Sequence, residues 1–196
     1  MTWGTGAPRV RIEEWTAHDI DLLHRLNTPE MTEHLGGPES EAQVAARHGR
    51  YLGLDGTGRM FRVLLTAGDE TRDGGRTGRS EETVVGSVGY WELTWRGERA
   101  YETGWGVLPD YQGRGIAAAA AREVIAAAGA AGRHRYLHAF PSVEHHASNA
   151  VCRKAGFGFR EECEIEYPKG HRMRANNWRV DLKADGSLNS LTEEAG

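Results

Sequence analysis

The run Tyr101-Glu-Thr-Gly-Trp-Gly-Val107-Leu-Pro-Asp-Tyr-Gln112-Gly-Arg-Gly115-Ile-Ala-Ala-Ala-Ala-Ala121 decides how the chain is read. β-Prone residues from Tyr101 to Val107 meet a break at Pro109 and Asp110, then a turn of Gln112, Gly113, Arg114 and Gly115, then a long alanine-rich segment. The pattern is strand, turn, helix. Glycines at the mouth of a helix let the backbone approach an anion, and the first-turn N–H groups, having no partner inside the helix, point outward at it. The turn is therefore a candidate cradle for a diphosphate.

Two common phosphate-binding patterns do not account for it. Gly113, Gly115 and Ala118 satisfy G-x-G-x-x-[GA], but a dinucleotide site also needs an acidic residue about twenty positions on to hold a ribose. Between Glu123 and Glu144 there is no carboxylate, and the next strand-like run is Tyr136-Leu-His-Ala-Phe140. No Gly-Lys-Ser/Thr follows the turn either, so a Walker-type loop is excluded.

What Gln112-Gly-Arg-Gly-Ile-Ala117 resembles is the Q/R-x-x-G-x-G/A loop of the GNAT acyl-CoA N-acetyltransferases. The preceding Glu102-Thr-Gly104-Trp105-Gly106-Val107 is similar to that family's E-x-G-Y/W-x-V/L strand. Downstream, His145-His-Ala-Ser148-Asn149-Ala-Val-Cys152-Arg-Lys154-Ala-Gly156-Phe157 resembles its N-x-x-S-N-x-x-x-x-K-x-G-F helix. Asn27-Thr-Pro29-Glu30-Met31 and Leu35-Gly36-Gly37 are similar to the N-terminal signature of the Rim-type branch. The likeness runs from about Val10 to Leu182, and four ordered motifs carry it. It implies an α/β fold with mixed order: one domain over residues 9–183, a mostly antiparallel twisted sheet of about seven strands splayed between the fourth and fifth, and about four helices.

Composition is compatible with this. The chain has 196 residues and suits one domain. A formal net charge of −4 without a concentrated Lys/Arg block speaks against a nucleic-acid surface and mildly favours cationic amines. Cys152 and Cys163 are the only cysteines, so there is neither a disulfide framework nor zinc spacing. With no apolar run of membrane-spanning length and no signal-like N-terminus, a cytoplasmic protein without membrane partners is expected.

Along the chain, Arg9–Trp15 reads as a strand, and capping boxes at Thr16/Asp19 and Ser40/Gln43 open two helices. The second is amphipathic through Val44, Ala45 and Leu52. Residues 59–66 and 83–92 read as strands around a polar, glycine-rich, mobile loop over 69–82. Strands 83–92 and 101–107 form a hairpin turning at Thr94–Glu98. The alanine-rich helix runs to about Gly129, followed by strand 135–140, helix 146–155 stopped by Gly156, and a hairpin of 158–166 with 177–183. Residues 184–196 are expected to be a disordered tail, and exposed edge strands make a homodimer conceivable.

Acetyl transfer to an amine needs a base, a stabiliser for the carbonyl oxygen and a proton donor for the departing thiolate. The resemblance implies a bulge in strand 101–107 that opens a slot beside strand 135–140. Trp105, Gly106, Val107 and Leu108 then offer amides to the pantetheine, while Gln112, Gly113, Arg114, Gly115, Ile116 and Ala117 hold the diphosphate. Glu102 is the base, with Glu92 as second choice. Ser148 and Cys152 share one helix face at i and i+4 and are rival donors; Asn149 is implied as a further cofactor contact. The histidines at 134, 138, 145 and 146 lack the carboxylate spacing of a metal site, so no metal is expected. Acetyl-CoA is the implied co-substrate and a small amine or protein N-terminus the acceptor. A non-catalytic acyl-CoA sensor on the same fold is the rival reading.

Overall fold

Two capping boxes and a left-handed hairpin turn set the local geometry of the chain. The computed structural model describes residues 8–66, 82–167 and 170–183; the 184–196 tail and all of the 69–82 loop except Glu82 lie outside the described residues. Strand β1 (Val10–Glu14) leads to a 3-10 turn, Ala17–Asp19, where Asp19 Oδ2 accepts from Thr16 N at 2.7 Å. Helix α1 (Ile20–Leu26), a single turn α2 (Pro29–Thr32) and α3 (Glu41–Leu52) follow. In the box that opens α3, Ser40 N donates to Gln43 Oε1 at 2.8 Å.

Strands β2 (Gly58–Thr66), β3 (Glu82–Trp95) and β4 (Glu98–Val107) form an antiparallel meander. The β3–β4 turn is Arg96-Gly97, with φ of 51° and 84°, the two-residue geometry whose twist suits a hairpin. Helix α4 (Ile116–Ala131), strand β5 (Tyr136–Ala139), helix α5 (His146–Ala155) and the hairpin β6 (Gly158–Glu166) with β7 (Arg172–Asp181) complete the fold. The seven strands lie in the order β1-β2-β3-β4-β5-β7-β6, with β4 and β5 the parallel pair. Strand β7 starts five residues earlier than its alternating pattern suggests, because cross-strand pairs such as Arg174–Glu162 (2.6 Å) extend the ladder.

One cluster of buried side chains lies between the sheet and helices α4 and α5, and includes Val88, Tyr101, Ile116, Val124, Leu137 and Trp178. A second, around Leu22, Leu23, Val44 and Met60, packs α1 and α3 on the other face. Pairing between β4 and β5 covers only Tyr101–Leu137 and Glu102–His138, so the strands part beyond Glu102. The expected bulge is not what parts them: the β3–β4 register runs unshifted from Gly86–Val107 to Trp95–Glu98. The register shifts lie between β2 and β3, at Val63/Leu64, and between β6 and β7, at Phe159/Glu161. No helix among the described residues is long and apolar enough to cross a membrane.

Candidate active site

A cavity of about 530 Å³ occupies the gap where β4 and β5 diverge. Gly104 to Val107 of β4 form one wall, the turn into α4 a second, and Phe140, Pro141 and Ser142 with α5 residues Ala147, Ser148 and Val151 a third. Residues of α1, α2 and α3 close the remaining side.

The turn forms the anion-binding end. Gly113 and Gly115 have φ of 73° and 78°, a region that a side chain disfavours, and Gly115 caps α4 without a side-chain bond to its first-turn amides. Gln112, Gly113, Gly115, Ile116 and Ala117 line the cavity there. The Gln112 side chain ties the turn down: Nε2 donates to Val107 O at 2.9 Å and approaches Met31 Sδ at 3.1 Å. Arg114 donates to Asp110 O at 2.5 Å and lies over the Tyr111 ring, so its side chain is engaged beside the turn. The Ile116 side chain is in the core, which leaves its main chain as the part available at the cavity.

Along β4 the amides alternate in direction. Leu108 N donates to Val85 O at 2.8 Å, and the same register turns the Gly106 and Gly104 amides towards β3. Trp105 and Val107 therefore present theirs to the side that β5 leaves open. Leu108 is corrected as a cofactor contact: its amide is taken and its side chain is buried in the second core cluster. The donor set at this end, an uncapped helix N-terminus followed by outward strand amides, fits a diphosphate carrying an extended amide-bearing tail.

Glu102 lines the cavity, and Trp91, its partner in the register, donates from Nε1 to Glu102 Oε2 at 3.1 Å. Burial pushes the Glu102 carboxyl above the usual carboxylate range, and the Trp91 bond opposes that shift. Glu92 is one residue further along β3 and is held elsewhere by His134 (3.2 Å), Arg99 (3.0 Å) and Arg133 (3.4 Å). Its carboxyl is lowered, chiefly by the His134 hydrogen bond. Glu102 is the carboxylate of the two that faces the cavity.

On α5, Ser148 lines the cavity with its Oγ 3.4 Å from His145 Nε2. Burial, and then His34 stacked at 4.4 Å, holds the His145 ring below its ordinary pKa. Two expectations for this helix are corrected. Cys152 is 0% exposed in the main core, and burial pushes its thiol up to about 12, so the i, i+4 spacing does not bring it to the cavity. Asn149 is also turned inward. Its Nδ2 donates to Ser142 O and His145 O, both at 2.9 Å, and its Oδ1 accepts from Asn176 Nδ2 at 2.7 Å and Trp178 Nε1 at 2.8 Å. With both donors and both lone pairs in use, Asn149 is a clamp on the α5 N-terminus and makes no cofactor contact.

Several wall residues escaped sequence reasoning. Ala45 is exposed and Leu52 is 44% exposed, so the inward face of α3 is instead Val44, Arg47, His48 and Tyr51. That i, i+3, i+4, i+7 spacing was present in the sequence but reads as polar. Arg47 and Tyr51 both line the cavity, as do His34, Ile165 and Met173.

Comparison with known proteins adds to this geometry. The family described as acetyltransferase (GNAT) domain matches residues 9–158. A search of curated proteins returned no match. Among solved structures, the spermidine N-acetyltransferase from Vibrio cholerae in complex with CoA and spermine is similar at 15% identity and a TM-score of 0.65, covering 88% of this chain and 95% of that one. The aminoglycoside acetyltransferase AAC(6')-Ib in complex with coenzyme A is similar at 14% identity and a TM-score of 0.65, with the same coverage. An acetyltransferase from Salmonella typhimurium that modifies the N-terminal serine of ribosomal protein L7/L12 is similar at 16% identity and a TM-score of 0.67, covering 88% of this chain and 94% of that one. At these identities the likeness is one of fold.

Proposed function

This chain belongs to the GNAT acetyltransferase family, and we propose that it transfers the acetyl group of acetyl-CoA to a primary amine by direct attack within a ternary complex. One observation carries the reading: a single cavity has main-chain amides of a glycine turn at one end and the desolvated Glu102 carboxylate on its strand wall. Acetyl-CoA, when bound, supplies the thioester and the thiolate leaving group. The turn from Gln112 to Ala117 holds its diphosphate, and the amides of Trp105 and Val107 meet its tail and the carbonyl oxygen.

An alkylammonium has a pKa near 10 and must lose a proton before it attacks. Glu102 takes that proton, directly or through water, and its raised pKa makes it a stronger base than a solvated carboxylate. Ser148 donates to the departing sulfur from the facing helix. The acceptor is a small amine or a protein N-terminus; the structurally similar enzymes act on spermidine, aminoglycosides and a ribosomal protein. The Rim-type branch is supported by the likeness to the acetyltransferase that modifies the N-terminal serine of L7/L12; in this chain the Asn27 side chain bonds Glu39 N and O at 2.8 Å each, closing the Pro29–Gly37 segment into a loop.

The test is release of free thiol from acetyl-CoA across a panel of amines and peptides. Glu102→Gln is expected to lower kcat by about 10²–10⁴ while leaving coenzyme A affinity near wild type. Ping-pong kinetics would overturn direct attack, and a flat response over basal hydrolysis would favour the sensor reading.

A further inference from the structure

Glu102 fixes which face of the sheet the amine meets. In the register Trp91 stands opposite Glu102, Glu102 opposite His138 and His138 opposite Arg179, so these residues share one face, and Met173, an even number of positions before Arg179 on β7, falls on it as well. Two glycines shape that face. Gly89 and Gly104 are cross-strand partners; a Cβ on Gly89 would collide with Met60 Sδ, and one on Gly104 would come within 3.1 Å of the Trp91 indole. The thioether and the ring therefore lie down on the strands beside the base and form a floor of the cavity. Leu26 does the same over Gly106, where a Cβ would come within 3.3 Å of it.

The sides repeat this chemistry. Met31 of α2 and the cross-strand pair Ile165 and Met173 line the cavity and are half-buried, so part of each is open to an occupant. Three of the chain's four methionines thus border this space. Thioethers adapt their shape and contact aromatic rings favourably through sulfur, and an indole pairs with a second ring by stacking or edge-on. Charge is sparse by comparison. Glu30 and Glu102 are the only carboxylates lining the cavity among the described residues, and in the transfer reading Glu102 serves the reacting amine. A polyamine or aminosugar brings several ammonium groups, each needing an acceptor. A peptide N-terminus brings main-chain polar groups over a floor whose one donor, Trp91 Nε1, already serves Glu102.

Resting on the acetyl-transfer reading, we propose that the acceptor is an arylalkyl monoamine: one ammonium reaching Glu102, a short alkyl link, and an aromatic ring lodged among Trp91, Met60, Met31 and Met173. Glu102 treats all primary amines alike. The contacts to the ring set the choice, and Met173 is a specificity residue, distinct in role from Glu102.

The experiment uses the full chain with acetyl-CoA and measures thiol release with 2-phenylethylamine, 2-cyclohexylethylamine, ethylamine, spermidine and a tripeptide with a free N-terminus. 2-Phenylethylamine is expected to exceed ethylamine and spermidine in kcat/KM by about tenfold to a hundredfold, the effect of burying a ring in an apolar pocket. It is expected to exceed 2-cyclohexylethylamine by about threefold, the effect of the contacts only a π-system makes. Met173→Glu lowers kcat/KM for 2-phenylethylamine by about tenfold and raises that for spermidine, because a second carboxylate then stands on the wall. Ile165→Glu makes the same test from the partner strand if the first variant does not fold. Any other amine leading in the wild type overturns the proposal, as does 2-cyclohexylethylamine equalling 2-phenylethylamine, or a folded Met173→Glu protein with an unaltered preference. Calorimetric binding of 2-phenylethylamine to the CoA-loaded protein separates the two readings. Binding that Met173→Glu weakens, without thiol release from acetyl-CoA, removes the transfer reading alone, and turnover led by another amine removes this proposal alone.

Discussion

Glu102 is charged at a cost, and pH tests that cost in two ways. Burial raises its folded-state pKa above the unfolded value, so below the unfolded pKa both states are protonated and nothing is lost. Above the folded pKa the whole desolvation penalty applies, and stability falls as pH rises through the window between them. Glu102→Gln removes the charge. Its melting temperature is therefore expected to exceed that of wild type on the alkaline side, with the gap closing in acid; a gap that widens in acid would contradict the burial argument. The acid limb of kcat/KM is expected above the usual Glu value of about 4.3. Trp91→Phe, which deletes the donor that steadies the carboxylate, moves that limb to higher pH. Cys152 makes the opposite case. With its thiol pushed up to about 12 and no exposure, it is expected to resist iodoacetamide in the native protein while the half-buried Cys163 is labelled first. Cys152→Ala costs about 1 kcal/mol of stability and leaves kcat/KM within about threefold. Mass spectrometry of the labelled protein decides the first, steady-state kinetics the second.

At the scale of elements, the parts legible in the sequence are those that neighbours in the chain control. Both capping boxes, the Arg96-Gly97 turn and the uncapped glycine entry to α4 follow from residues a few positions apart. Which face of a helix turns inward does not, because packing partners tens of residues away decide it. Asn149 shows this: it sits one position after Ser148, yet Asn176 and Trp178 on β7 pull its side chain away from the cavity. Arg47 on α3 was hidden for the same reason. Two element-level predictions follow from these contacts. Asn149→Ala removes four side-chain hydrogen bonds, the one from Trp178 Nε1 being buried, and is expected to cost about 1–3 kcal/mol, with weaker acetyl-CoA binding only as a consequence of a loosened α5 N-terminus. At Gly115 an added Cβ meets nothing nearer than Pro8 at 3.9 Å, so the obstacle to a side chain is its φ of 78° and not space. Gly115→Ala is expected to cost about 1–2 kcal/mol and Gly115→Asn less, since Asn tolerates the left-handed region. Equal losses in chemical denaturation would point to crowding instead.

At the scale of the whole molecule, the sheet is nearly divided: two residue pairs are all the pairing between β4 and β5. What joins the halves is side-chain packing. Ile116, Ala120 and Val124 of α4 share one buried cluster with Val88 and Tyr101 on one side and with Leu137 and Trp178 on the other. Because that cluster spans the divide, the protein without ligand is expected to melt in a single transition. In the proposed reading coenzyme A fills the same gap, bounded by β4 and the α4 turn on one side and α5 on the other, so its binding energy acts on the entire fold. At a concentration of about 100 times Kd it adds about 2.7 kcal/mol, which for a domain of this size raises Tm by about 5–10 °C. The rise should grow with the logarithm of coenzyme A concentration and shrink in Gly115→Ala. Two transitions in calorimetry, with only one moved by the ligand, would show that the halves unfold independently and that the cleft is not a seam closed by its substrate.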